Sequence, residues 1–198
     1  CEETISKKIK VKQFVDLSPL KDKKTRIDKY TVTSDLSLTD SLDNLITNAV
    51  VSDFSENNLF AQVGRDVYEP DFIMKGEIRK FSGLQTDKGF SATIGILSIG
   101  TVITGGIIEV PALMLAGLGV VFVPYLGFPL GKHSSNVEIV VRVYDKNNNL
   151  IGEYEGKSHN SQKYSAYKNF KVTDLHRLLN EDFSKAIEQI RNKIITDK

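Results

Sequence analysis

Tryptophan is absent and cysteine occurs once, at Cys1, so no disulfide can form within the chain. Histidine is scarce: His133, His159 and His176 lie far apart in the sequence, with no second cysteine to join them. That leaves no cluster at metal-ligand spacing. The glycine-rich phosphate loop, the dinucleotide-binding turn and the strained G-x-S-x-G elbow are all missing. Lys and Arg total 26 against 25 Asp and Glu, and no stripe of aromatics interleaved with arginine appears, which speaks against a nucleic-acid partner. The carboxylates are scattered over polar positions, so no acid/base pair stands out. The expectation is a protein with no catalytic residues, metal or other cofactor: not an enzyme.

One region lacks charge almost completely. From Gly89 to Gly131 the only charged side chain is Glu109, and Lys88 and Lys132 bracket the stretch. Its halves, Gly89–Ile108 and Val110–Gly131, are each about twenty residues long, the length with which a helix crosses a bilayer's hydrocarbon core. This predicts a membrane-inserting helical hairpin over 89–131, with Gly105, Gly106, Glu109 and Pro111 at the turn. Small residues recur at helical spacing, and Gly95, Ala112 and Ala116 are the candidate contacts between packed helices. Two alternatives stand beside it. The many Ile, Val and Thr residues fit strands of a barrel built by several subunits, or strands buried in a soluble core. A charge at the turn costs little, whereas at bilayer depth Glu109 would line a water-filled path.

The rest of the chain is patterned as a folded domain. Ile9 and Val11 alternate with Lys8, Lys10 and Lys12 in a first strand. After a polar, lysine-rich run, Asp40 or Ser41 can cap a helix whose apolar residues are Leu42, Leu45, Ile46, Ala49, Val50 and Phe54. Short and long strands follow at Leu59–Val63 and Asp71–Phe81, the second with Phe72, Met74 and Ile78 on one face and Lys75, Glu77 and Arg79 on the other. Gly76 sits on the inward face, where a neighbour can approach closely. Asn136–Tyr144 and Leu150–Gly156 form a hairpin about the turn DKNNN. Polar residues from Ser158 to Asn169 lead to a final helix with Leu175, Leu178, Leu179, Phe183, Ala186, Ile187, Ile190 and Ile194 on one face.

The predicted fold is α+β: an antiparallel or mixed sheet with two amphipathic helices on one face, plus the inserted apolar transmembrane hairpin. Residues 1–7 are a tether, 8–88 and 132–198 the domain, and 89–131 the hairpin.

Cys1 ahead of a polar segment resembles a bacterial lipoprotein whose signal peptide has been removed. That resemblance implies acylation of Cys1, palmitate included, and Glu2 favours the outer membrane over the inner. Taken with the DFIMKGEIRKF strand, the Gly-rich insertion, the VEIVVRVYDKNNNLIGEYEG hairpin and the closing helix, the layout resembles the TraT-type surface-exclusion lipoproteins and is similar in element order to the curli-secretion ring lipoproteins. The resemblance implies a mostly periplasmic, lipid-anchored homo-oligomer in the cell envelope, with membrane lipids and subunits of an envelope machine as partners. Its role would be structural or conduit-like. The alternative is a monomer that binds lipid or another amphiphile in an apolar pocket.

Overall fold

A computed structural model describes residues 4–19, 29–31, 41–87, 129–165 and 172–197. Seven strands make one mixed sheet: β1 (Ile5–Val11), β2 (Val15–Asp16), β3 (Lys29–Thr31), β4 (Phe60–Gly64), β5 (Phe72–Asp87), β6 (Pro129–Asp145) and β7 (Leu150–Ser165). The spatial order is β4-β1-β5-β6-β7, and β2 and β3 continue the edge of β5 beyond β1. Strand β1 runs parallel to both β4 and β5, whereas β6 runs antiparallel to both of its neighbours, β5 and β7.

Helix α1 (Leu42–Glu56) forms because Leu42, Ile46, Val50 and Phe54 recur every fourth residue and bury one stripe. Ser41 stands at its N-cap, its carbonyl accepting from the amides of Asn44 and Leu45. Asn58, at φ 50, turns the chain out of the helix in the left-handed region that asparagine tolerates. Helix α2 (Val172–Thr196) buries Leu175, Leu178, Leu179, Ala186, Ile187, Ile190 and Ile194. Both stripes meet the inward face of the sheet, supplied by Ile9, Val11, Met74, Ile78, Val137, Ile139, Val141 and Val143, in one apolar cluster. The chain kinks between β1 and β2 so that Phe14 covers Gly76, where a Cβ would strike its ring. Glycine is required there because an aromatic ring, not a helix, takes the space.

The α+β sheet and its two helices match the expected domain, but the inserted transmembrane hairpin is corrected. Among the described residues no helix is long and apolar enough to cross a membrane. Pro129, Leu130 and Gly131, the presumed end of the hairpin, belong to β6, with Gly131 opposite Asp87 of β5 and Tyr164 of β7. An uncharged triplet is as compatible with a strand ladder as with hydrocarbon, and backbone pairing claims it. Gly95, Gly105, Gly106, Glu109, Pro111, Ala112 and Ala116 lie outside the described residues. The tether is shorter than expected, since Ile5 already pairs with Phe60 and its amide donates to the Leu59 carbonyl at 2.9 Å.

Three strands outrun their hydrophobic patterns. β5 continues to Asp87, β6 begins at Pro129 and β7 reaches Ser165, extending the sheet into an arm of mainly polar residues. Residues 158–165 therefore form strand and not the polar stretch that their composition suggests.

Candidate functional site

At the end of the sheet where β1 begins, a cleft of about 430 Å³ opens between the strands and the C-terminus of α2. Thr4, Ile5, Ser6 and Lys7 form one wall. Phe60, Phe72, Val143, Ile151, Tyr154, Ile194 and Asp197 supply the rest. Six chain segments thus contribute, which is why no local motif announces the site. Parallel pairing of β1 with β4 and β5 brings Ile5 beside Phe60 and Ile9 beside Phe72. The two phenylalanine rings meet edge-on, their centroids 6.4 Å apart, and Phe60 in turn leans on Phe54 of α1. An aromatic chain of this kind joins the floor of the cleft to the core.

Polar groups are confined to the rim. Lys7 and Asp197 stand there, with the Tyr154 phenol beside them. Burial pushes the Tyr154 phenol above its ordinary pKa, and the neighbouring negative charge adds to the effect. Gly152 leaves the room in which this hydroxyl sits, since a Cβ at that position would meet it. Ile151 is 51 % exposed at the lip, beside Leu150 at 55 %. The arrangement is an apolar trough with one cation, one anion and one phenol at its mouth, suited to binding a molecule with an apolar part and a polar end.

A second cluster brings a buried carboxylate and two serines together. Asp182 of α2 is fully buried and accepts from the hydroxyls of Ser135 on β6 and, at 2.6 Å, Ser158 on β7. His159 Nδ1 lies 2.7 Å from the Ser135 backbone carbonyl. Both serine hydroxyls are spent on the carboxylate and the imidazole meets a backbone oxygen, so no base is positioned to activate a nucleophile. The cluster pins α2 to the polar arm. Its signal in the sequence is Asp182 inside the apolar stripe of α2, between Leu179 and Ala186.

The outward face of the sheet is a self-neutralised ladder. Arg142 pairs with Glu153 and Glu77 at 2.5 Å each, Lys80 with Glu138 at 2.6 Å and Lys157 with Glu155 at 2.8 Å, while Arg79 approaches Glu77 and Glu155 within 3.8 Å. Opposite charges across neighbouring strands satisfy one another and leave no net field for a ligand.

Of the histidines, His133 is a buried side chain of β6 and His176 faces solvent from α2. No group of three or more His, Cys, Asp or Glu side chains gathers to hold a metal among the described residues. Cys1 lies outside them.

No family model matches the chain, and no curated protein does either. Solved structures are similar to it at low identity. Protein XCC0632 from Xanthomonas campestris, described by the family model DUF330, is 7 % identical with a TM-score of 0.43, over 98 % of this chain and 85 % of that one. An uncharacterized protein is 10 % identical with a TM-score of 0.44, over 98 % and 95 %. A candidate lipoprotein from Caulobacter crescentus CB15 is 9 % identical with a TM-score of 0.32, over 78 % of each chain. At TM-scores below 0.5 these likenesses carry no argument about this protein.

Proposed function

We propose that the chain is an envelope lipoprotein, tethered through Cys1 to the outer membrane, whose domain holds the apolar part of an amphiphile in the cleft and binds it without chemical conversion. The observation that carries this reading is the position of the cleft: Thr4–Lys7, the first described residues after the Cys1 segment, form its wall. A ligand in that trough sits within a few residues of the anchor, where an amphiphile drawn from a bilayer would arrive. The volume falls within the range of about 300–1,000 Å³ usual for small-molecule sites.

The test uses the full chain with Cys1→Ser and a fluorescent fatty acid. Saturable binding is expected, and Ile5→Trp, which fills the trough from its half-buried wall, should weaken it about tenfold or more. Equal binding by the two proteins would sink the cleft as the site. The anchor is tested apart from it by the intact mass of protein taken from native membranes. A mass equal to the unmodified chain removes the lipoprotein reading.

Self-association is the second reading, favoured by β7. Among the described residues this strand of 16 residues pairs only with β6. Gln189 of α2 blocks part of its free edge by imitating a strand neighbour: its Oε1 accepts from the Lys157 amide and its Nε2 donates to the Lys157 carbonyl, both at 3.0 Å. Lys193 donates to the Glu155 carbonyl at 2.6 Å. An exposed edge beyond these plugs is a template for another strand. Gln189→Ala should therefore raise the dimer fraction in sedimentation, and an unchanged fraction speaks against association through β7.

A further inference from the structure

Among the described arginines, pairing with a carboxylate is the rule, and three lysines share it. Arg79, Arg142, Arg177 and Arg191 each face a carboxylate, as do Lys80, Lys146 and Lys157. Arg65 departs from that pattern. Leaving the end of β4, its Nη1 donates to Asn44 Oδ1 at 2.5 Å and Asn48 Oδ1 at 3.1 Å on α1. Amide oxygens fix a guanidinium in place without neutralising it. Nε and Nη2, the edge that forms a two-pronged fork, have no partner among the described residues.

Lys10 and Lys12 of the β1 segment line the same surface depression of about 600 Å³, with Val11, Gln13 and Asp66. Neither lysine is in an ion pair among the described residues. Gln13 is already engaged, donating to Asp43 Oδ2 at 2.5 Å. The lining therefore sets Lys10, Lys12 and Arg65 against one carboxylate, the exposed Asp66, with that of Asp43 beyond Gln13. In a protein of net charge +1 such a local excess is a feature of placement, not of composition.

We infer that this depression binds a phosphate-type oxyanion, with the open edge of Arg65 taking two oxygens in its plane and Lys10 and Lys12 acting as point charges beside it. Planar bidentate donation is the geometry for which guanidinium is suited and ammonium is not. The anion is either a soluble phosphate or the headgroup of an anionic lipid, which share this chemistry. The site is separate from the apolar cleft, although both use β1: residues 4–7 wall the cleft and residues 10–13 the depression.

Two probes distinguish the sources, each applied to the full chain carrying Cys1→Ser. Inorganic phosphate is titrated calorimetrically, and phosphatidylglycerol-containing vesicles are compared with phosphatidylcholine vesicles by flotation. Saturable phosphate binding that weakens about tenfold in Arg65→Gln, with Arg65→Lys in between, supports a soluble ligand. Phosphatidylglycerol-selective flotation lost in Lys10→Gln/Lys12→Gln supports the headgroup. The paired lysine change rests on surface side chains, so it remains informative even if Arg65→Gln fails to fold. Absence of saturable binding to both probes, or binding equal in native and substituted proteins, overturns the assignment.

Discussion

On the side of the row Ile78, Ile139 and Gly156 that faces the cleft, the inward positions of β5, β6 and β7 carry Met74, Val141, Val143 and Tyr154, and both helices cover the sheet. On the other side the first row is Phe81, Val137 and Ser158, followed by Gly83, Ser135 and Asn160, then Gln85, His133 and Gln162. The same three strands are thus held by apolar burial at one end and by polar partners at the other. Apolar area drives the first without regard to direction. A buried polar row is stable only if each group finds a donor or acceptor, which Asp182 supplies for Ser135 and Ser158. The two ends also carry different chain segments. β1 enters beside the cleft, whereas β5 ends and β6 begins at the tip of the arm, some fifteen residues of extended strand away, or about 50 Å. The start of β1 and the end of β5 therefore lie at opposite ends of the sheet.

The largest effect expected on the apolar side is Phe54→Ala. Its ring is fully buried and stacks on Phe60, so truncation should cost about 3–5 kcal/mol in urea unfolding. A loss below about 1 kcal/mol would mean that apolar burial does not hold this half. Next comes Gly156→Ala, at the border between the halves. A Cβ there meets the backbone carbonyl of Ala186, which cannot rotate away, so α2 must lift from β7 at a cost of about 1–3 kcal/mol. Unchanged stability with unchanged hydrogen exchange in α2 would show that the helix is less closely seated.

Asp182→Ala probes the polar side. Two serine hydroxyls lose their acceptor, for about 1–3 kcal/mol, and the effect should be local. Amide exchange should quicken in residues 131–136 and 158–163 while α1 stays protected. Uniform acceleration over the whole sheet would erase the distinction between the two ends.

That distinction also explains which parts of the fold were legible in the sequence. The stripes of α1 and α2 and the alternation Val137, Ile139, Val141, Val143 announce themselves because hydropathy repeats with the period of the element. The DKNNN turn is equally local: Asp145 accepts from the amides of Asn147 and Asn149 at 2.8 Å each, and Asn148 takes φ 63. The arm carries no such signal, since Ser, Asn and Gln alternate with Lys and His and both faces look polar. For the same reason Ser158–Ser165 reads only as part of a polar stretch ahead of the last helix. The cleft and the depression at Arg65 are illegible for another reason: each assembles residues that parallel pairing of β1 with β4 and β5 brings together, and register between distant strands is not written in either strand alone. The inserted helical hairpin was expected because length and lack of charge describe a membrane span, but Pro129–Gly131 show that the same properties admit a strand.

The smallest effect concerns acid. Glu138 stands on the outward face where the two halves meet, its side chain 11 % exposed. Its hydrogen bond from Lys80 holds the carboxyl below the ordinary glutamate pKa, with the charges of Lys80 and Lys157 adding to the effect. Asp71 is held down by the Lys8 amide and then Lys146, and Asp145 by the side chain and amide of Asn149. For each, the unfolded chain binds protons more readily than the folded one. Their stabilisation is complete above the ordinary carboxylate pKa and is lost as pH falls through the depressed values. Asp53 works in the opposite sense: burial raises its pKa despite Arg191, so its contribution is present at low pH and is lost as pH rises through the raised value. The expected net result is a melting temperature that declines below about pH 4, with Asp53 softening the decline. Glu138→Gln should flatten that acid limb by less than about 1 kcal/mol, because the pair sits at the surface and water screens it. Melting curves of the two proteins at matched ionic strength decide the matter: parallel acid limbs would remove Glu138 from the account and leave the junction of the two halves insensitive to protonation.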